Sequence, residues 1–169
     1  KQGQILVLVP EISLTPQMTQ VFEDRFPDQV CTIHSAMPEN YRFEQVMKIH
    51  HGKKKILIGP RSSVFVPFKN LQLIIVDEEH DNSYKQNTQF SYHGKDVAIV
   101  RAHKQKVPII LGSATPSAES YWNAKSGKYN LLELKERVLK QDLPEVILKE
   151  TSTKLKGEIL KQGKIETQA

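Results

Sequence analysis

Residues 71–80 read Leu-Gln-Leu-Ile-Ile-Val-Asp-Glu-Glu-His, an apolar run that ends abruptly in three acidic residues and a histidine. A short continuous apolar stretch of this kind predicts a strand buried on both faces, the type found in parallel sheets covered by helices. Such a strand delivers Asp77 and Glu78 to the carboxyl edge of the sheet, where ligands bind in open α/β folds. One carboxylate there can hold magnesium, a hard cation that prefers oxygen ligands and keeps several waters. Its neighbour can orient or deprotonate the water that attacks a phosphate. Acidic residues also gather harmlessly at strand ends, so the surrounding sequence has to decide between the two readings.

Outward from this stretch, short β-branched runs alternate with helical periodicity, which predicts a three-layer α/β fold with a mostly parallel sheet. Strands are expected at residues 5–9, 30–33, 55–58, 71–76 and 108–111, with 129–134 as a later addition. Thr15-Pro16 predicts an N-cap and a first helical proline, with Met18, Val21 and Phe22 on the core face. Phe43, Val46 and Met47 repeat that spacing in a second helix closed by Gly52 in the left-handed conformation. Val97, Ala98, Val100 and Arg101 mark a third helix. Thr115-Pro116 opens a fourth, which carries Tyr121 and Trp122 and stops at Gly127. Beyond Lys135 the periodicity thins, and Gly157 and Gly163 leave room only for short helices.

The 169 residues suffice for one sizeable core, and 38% hydrophobic with 25% charged residues places the chain among globular domains rather than disordered or fibrous ones. Residues 1–138 are expected to form a lobe and residues 139–169 a connector. A net charge of +5 is compatible with a polyanionic partner. Cys31 is the only cysteine, which excludes an intrachain disulfide or a cysteine-based metal centre and fits a reducing cytosol. No apolar run approaches the ~18 residues that span a bilayer, so a membrane role is not expected. Lys1 is followed almost at once by a strand, which suggests a chain entered mid-fold.

A second buried strand ends in Gly112-Ser113-Ala114-Thr115-Pro116, where small residues and hydroxyls can meet the acidic cluster across neighbouring strand tips. Ser113 and Thr115 can equally be helix caps. The acidic box followed by this Gly-Ser-Ala-Thr box resembles motifs II and III of the superfamily 2 helicases. Val9 to Gln17, reading VPEISLTPQ, resembles motif Ia, and Gly59 to Phe65, reading GPRSSVF, resembles the next nucleic-acid-facing motif. More narrowly, DEEHDNSYK at residues 77–85 with PFKNL at residues 67–71 is similar to the primosomal helicases that restart stalled replication forks. The likeness runs over about residues 3–138.

The resemblance implies a RecA-like lobe of an ATP-driven 3′ to 5′ DNA helicase, with a second lobe and zinc-binding modules outside this chain. By position, Asp77 corresponds to the magnesium ligand and Glu78 to the residue that activates water, with Glu79 completing the box. His80 with Ser113, Ala114 and Thr115 corresponds to the elements that couple hydrolysis to strand movement. Tyr84 to His93 lies where these helicases and RecQ helicases carry an aromatic-rich loop contacting single-stranded DNA, although a tryptophan is common in the family near Phe90. Aromatic rings stack on bases at roughly 1–3 kcal/mol each, so Tyr84, Lys85, Phe90 and Tyr92 form a candidate platform. Arg61 and Ser62 can hold a phosphate, and Pro10, Glu11 and Thr15 lie near the expected backbone track.

ATP and magnesium are the implied cofactors. Single-stranded and forked DNA, primosome proteins and single-stranded DNA-binding protein are the implied partners, in the cytoplasm at the nucleoid. A phosphate loop of the form Gly-x-x-x-x-Gly-Lys-Ser/Thr is missing from the sequence. The lobe is therefore expected to be truncated before its phosphate-loop strand, to bind ATP poorly and to hydrolyse it at background. A related superfamily 2 translocase, a non-catalytic DNA-binding module and a generic magnesium phosphohydrolase stay open as alternatives.

Overall fold

Apolar residues that alternate along a strand point to opposite faces of a sheet, and here the alternation sorts the core into two layers. The computed structural model describes residues 3–88, 90–134, 146–155 and 158–167, which fall into two units, Lys1–Tyr129 and Asn130–Ala169. The first unit runs β1 (Gln4–Leu8), α1 (Pro16–Arg25), β2 (Val30–Thr32), α2 (Glu39–His50), β3 (Ile56–Gly59), β4 (Leu71–Val76), β5 (Lys85–Gln86), β6 (Tyr92–His93), α3 (Gly94–Gln105), β7 (Ile109–Leu111) and α4 (Ala118–Lys125). Five of these strands form one sheet in the order β2-β3-β1-β4-β7, and every neighbouring pair in it is parallel.

One face of the sheet carries Leu6, Leu8, Leu57, Ile74 and Val76, packed with Ile49 of α2 and with Ala98 and Ala102 of α3. The other carries Val7, Val9, Ile56 and Ile58, packed with Met18 and Phe22 of α1. Helices on both faces explain why these strands read as continuous apolar runs. Gln4 opens β1 from inside the core. Its amide donates to Ile49 O and Lys54 O, both at 2.8 Å, and its carbonyl oxygen accepts from Asn70 N at 3.0 Å. The end of α2, the loop after it and the loop before β4 are thereby tied to the amino end of the sheet, opposite the acidic box.

The five expected strands occur within a residue or so of their predicted bounds, and residues 129–134 form no strand. Thr15 caps α1 by accepting from Met18 N at 3.2 Å, and Gly52 closes α2 with φ of 73°. Val21 and Phe43, assigned to core faces, are exposed instead, as is Val100 of α3. A one-sided helix buries only a narrow stripe, and Met18 with Phe22, Val46 with Ile49, and Ala98 with Ala102 already fill it. The fourth helix starts later than expected. Ser117, not Thr115, is its N-cap, accepting from Ser120 N at 3.4 Å.

In the second unit, β8 (Val146–Leu155) and β9 (Glu158–Thr167) pair antiparallel, from Val146 opposite Thr167 to Leu155 opposite Glu158. Short helices were expected there. The run Thr151-Ser152-Thr153 favours extended backbone over helix.

Candidate functional site

The carboxyl ends of β1, β4 and β7 meet at the acidic box. Asp77 N–H donates to Leu8 O at 2.9 Å, Gly112 N–H to Val76 O at 2.8 Å, and Glu79 N–H to Gly112 O at 3.0 Å. Between two of these ties, Glu78 turns into the left-handed region with φ of 44°. A non-glycine residue held in such a conformation costs about 1–3 kcal/mol, and the flanking backbone bonds are what sustain it. The Asp77 and Glu78 side chains remain partly exposed, and Asp77 Oδ1 accepts from Glu78 N at 3.1 Å. Gly112 lies alongside: a Cβ there would stand 3.5 Å from Asp77 Oδ1, so glycine keeps that flank of the carboxylate open.

His80 joins the two strand tips. Its Nδ1 is 2.7 Å from Ser113 Oγ and 3.5 Å from Glu78 Oε2, and its Nε2 is 3.4 Å from Thr115 Oγ1. Thr115 N–H donates to Ser113 Oγ at 3.0 Å, which bends the segment so that both hydroxyls face one imidazole. Ala114, between them, is exposed. The acidic box and the Ser-Ala-Thr segment, 33 residues apart at their closest hydrogen bond, thus form one connected unit.

Glu79, assigned with the catalytic residues, is not available to a ligand. Its side chain is 1% exposed and fully engaged. Oε2 accepts from Lys95 Nζ at 2.8 Å, Ser117 Oγ at 3.0 Å and Ser120 Oγ at 2.8 Å, while Oε1 accepts from Ser117 N at 2.6 Å. Burial alone raises a carboxyl, but the hydrogen bonds from Lys95, Ser117 N–H and Ser120 outweigh it, so Glu79 stays below the usual carboxylate range. Its role is corrected from chemistry to support. Lys95, Ser117 and Ser120 were missed, since no local spacing links residues so far apart.

Beside this corner lies a groove of about 390 Å³ whose walls include Glu11, Arg61, Ser62, Gln86, Phe90 and Tyr92. Residues expected to contact nucleic acid from three separate stretches therefore converge. Phe90 is 69% exposed, with its ring centroid 5.9 Å from that of Tyr92. Phe65, 53% exposed, completes the row, with its centroid 5.1 Å from that of Tyr92. Phe65 stood within a recognised motif, but only the antiparallel pairing of β5 with β6 brings Tyr92 against it. Glu11 Oε1 accepts from Ser35 N at 3.2 Å and braces the far wall.

Four expected contacts take other roles. Tyr84 is 1% exposed and its hydroxyl donates to Asp77 O at 2.6 Å and Leu8 O at 3.0 Å, so its ring packs under the acidic box and no base can stack on it. Asp81 causes this by accepting from Ser83 N at 2.7 Å, which forms a turn that tucks Tyr84 inward. Pro10 is buried. Thr15 uses its hydroxyl as a cap and lies outside the groove wall. Arg61 donates to Ser83 O and Gln86 Oε1, and to Lys85 O at 3.2 Å, so it fastens the loop to the strand tip before it meets any phosphate. Gly94 permits this approach, because a Cβ there would come within 2.8 Å of Arg61 Cβ. Lys85 is exposed.

Among the described residues, no group of three or more His, Cys, Asp or Glu side chains is placed to hold a metal by itself. Magnesium asks less of a protein, since one or two carboxylates suffice when phosphates and waters complete its shell. Asp77 and Glu78, beside the open flank at Gly112, fit that requirement. Among the described residues no helix is long and apolar enough to cross a membrane.

Residues 1–122 match the profile of the DEAD/DEAH box helicases. The chain is 47% identical over 157 residues to the replication restart protein PriA of Bacillus subtilis, covering 93% of this chain and 20% of that protein. It is 47% identical over 134 residues to the PriA of Haemophilus influenzae, covering 79% of this chain and 18% of that protein. The chain therefore spans about a fifth of the length of these relatives. Among solved structures, the C-terminal domain of Dbp5 from S. cerevisiae superposes with a TM-score of 0.50 at 13% identity, over 79% of this chain and 73% of that one, a likeness of fold alone.

Proposed function

The chain belongs to the DEAD/DEAH box helicase family, and on that premise we propose that it forms most of the first RecA-like motor lobe of an ATP-dependent 3′ to 5′ DNA helicase that acts in replication restart. The family in general works with ATP and magnesium, and the similarity to proteins named for replication restart supports DNA at stalled forks as the substrate. One observation carries the reading. The carboxylates of Asp77 and Glu78 stand at the strand tips that, through Tyr84 and Arg61, also hold the wall of an aromatic groove.

Bound ATP would supply the phosphate to be transferred, and magnesium would neutralise its charge. Asp77 would hold the metal, on the side left open by Gly112. Glu78, set in its unusual backbone conformation, would orient the attacking water. His80 senses the state of that carboxylate at 3.5 Å and passes it to Ser113 and Thr115. Phe65 and Phe90, each more than half exposed and set against Tyr92, offer rings to bases, a sequence-tolerant mode suited to a translocating motor. Ser62 and Lys85 supply contacts for the phosphates alongside.

The isolated chain carries the water-positioning corner and the groove without the phosphate-loop string, so it hydrolyses ATP at background and still binds single strands. Primosome proteins and single-stranded DNA-binding protein are the proposed partners, in the cytoplasm at the nucleoid. Residues 139–169 are the proposed connector toward the second lobe. Titrating a fluorescent single-stranded oligonucleotide against the chain tests the groove. Phe90→Ala and Phe65→Ala should each weaken binding by about five- to a hundredfold, the equivalent of one lost stack. Unchanged affinity in both would remove the aromatic groove as a binding site.

A further inference from the structure

Glu79 is the most densely bonded side chain near the motor corner, and at 1% exposure no ligand reaches it. Its partners come from two different helices, Lys95 in the first turn of α3 and Ser117 with Ser120 at the start of α4. Lys95 is itself buried, and its Nζ also donates to Ser117 Oγ at 3.2 Å. A buried ion pair is an expensive way to fill space, since apolar residues of similar volume often serve stability as well or better. What apolar residues cannot do is collect a backbone N–H, two hydroxyls and an ammonium on one carboxylate. Glu79 directly follows the left-handed Glu78, and Ser117 directly follows the segment that presents Ser113 and Thr115 to His80.

Resting on the helicase reading above, we infer that Lys95, Ser117 and Ser120 are positioning residues of the motor. Acting through Glu79, they clamp the tip of β4 to the start of α4, and so fix both the conformation of Glu78 and the registration of Ser113 and Thr115 with His80. None of the three touches nucleotide or DNA. The clamp has a defined loss mode. Without Lys95 the buried carboxylate keeps three neutral donors and no counter-charge, and an uncompensated buried charge loosens the clamp.

The test is DNA-stimulated ATP hydrolysis by the full-length protein that contains this lobe, measured for wild type, Lys95→Met, Lys95→Arg and Ser120→Ala, with thermal stability in parallel. Lys95→Met should lower kcat by about 10- to 100-fold with KM for ATP within about twofold, the pattern of a displaced catalytic group with intact binding. Lys95→Arg, which restores the counter-charge, should recover part of the loss. Ser120→Ala leaves the ion pair in place and should lower kcat by a few-fold, which decides the matter if Lys95→Met does not fold. Wild-type kcat in Ser120→Ala together with wild-type kcat in any folded Lys95 variant overturns the inference, whatever happens to thermal stability. A wild-type protein with no DNA-stimulated hydrolysis instead overturns the helicase reading on which it rests.

Discussion

Replacing Tyr84 by phenylalanine separates packing from base stacking at a single atom. The variant keeps the ring and deletes a hydroxyl that donates to Asp77 O at 2.6 Å and Leu8 O at 3.0 Å. Leu8 O retains the Asp77 N–H at 2.9 Å, so the loss falls on Asp77 O. A net hydrogen bond contributes about 1 kcal/mol, and leaving a buried carbonyl short of its donor raises the cost toward ~3 kcal/mol. Urea unfolding of the chain should show Tyr84→Phe destabilised by about 1–3 kcal/mol, and Tyr84→Ala by about 3–5 kcal/mol through the cavity it leaves. Single-strand affinity below the unfolding transition should be unchanged for Tyr84→Phe.

The hydroxyl also sets a pH signature. Burial first, and then the negative charge of Asp77 and the other acidic neighbours, pushes the Tyr84 phenol well above its ordinary range. A phenol raised in the folded state contributes stability that is complete below its unfolded value near ~10 and is lost as pH rises beyond that. Wild-type stability should therefore decline above pH ~10, and Tyr84→Phe should flatten that part of the decline. The reasoning is refuted if Tyr84→Phe matches wild type within ~0.5 kcal/mol, or if Tyr84→Ala stays as stable as wild type while losing single-strand affinity.

Two further outcomes follow from the same contacts. Arg61→Ala releases the loop carbonyls of Ser83 and Lys85, so hydrogen exchange at residues 83–86 should accelerate by about tenfold or more, the equivalent of roughly 1.5 kcal/mol of lost charge-assisted bonding; an arginine that serves only phosphate would leave exchange unaltered. Glu79, held below the usual carboxylate range, contributes stability that is present above the unfolded value near ~4.3 and is lost as pH falls through its folded value. Acid titration of folding should show the wild-type chain losing stability in that window, and Glu79→Gln, weaker at neutral pH, should lose less of it there. Equal pH slopes for the two would contradict the ion-pair network.

The sheet was legible because its strands are buried on both faces, which leaves unbroken apolar runs such as residues 73–76 and 56–58. That Asp77, Glu78, His80 and Ser113 come together was legible because strand tips on one edge of a parallel sheet meet. Depth was not legible. Tyr84 and Phe90 are both aromatic loop residues, and only the Asp81 turn decides that one is buried and the other exposed. Which apolar residue of a short helix faces the core was ambiguous in the same way, as Val21 and Phe43 illustrate. Long-range polar pairs left no trace either. Glu79 and Lys95 lie 16 residues apart with a loop and a two-stranded hairpin between them, and nothing in either residue's neighbours announces the other.

Asp77 and Glu78 are proposed to form the water-positioning half of an ATP site coupled to a single-strand groove. Phosphate release with magnesium and ATP, with and without single-stranded DNA, tests it in the full-length protein carrying wild-type sequence or Glu78→Gln. DNA should stimulate hydrolysis, and Glu78→Gln should reduce it by about a hundredfold or more while single-strand affinity persists. DNA-stimulated hydrolysis that survives Glu78→Gln at the wild-type rate would contradict it.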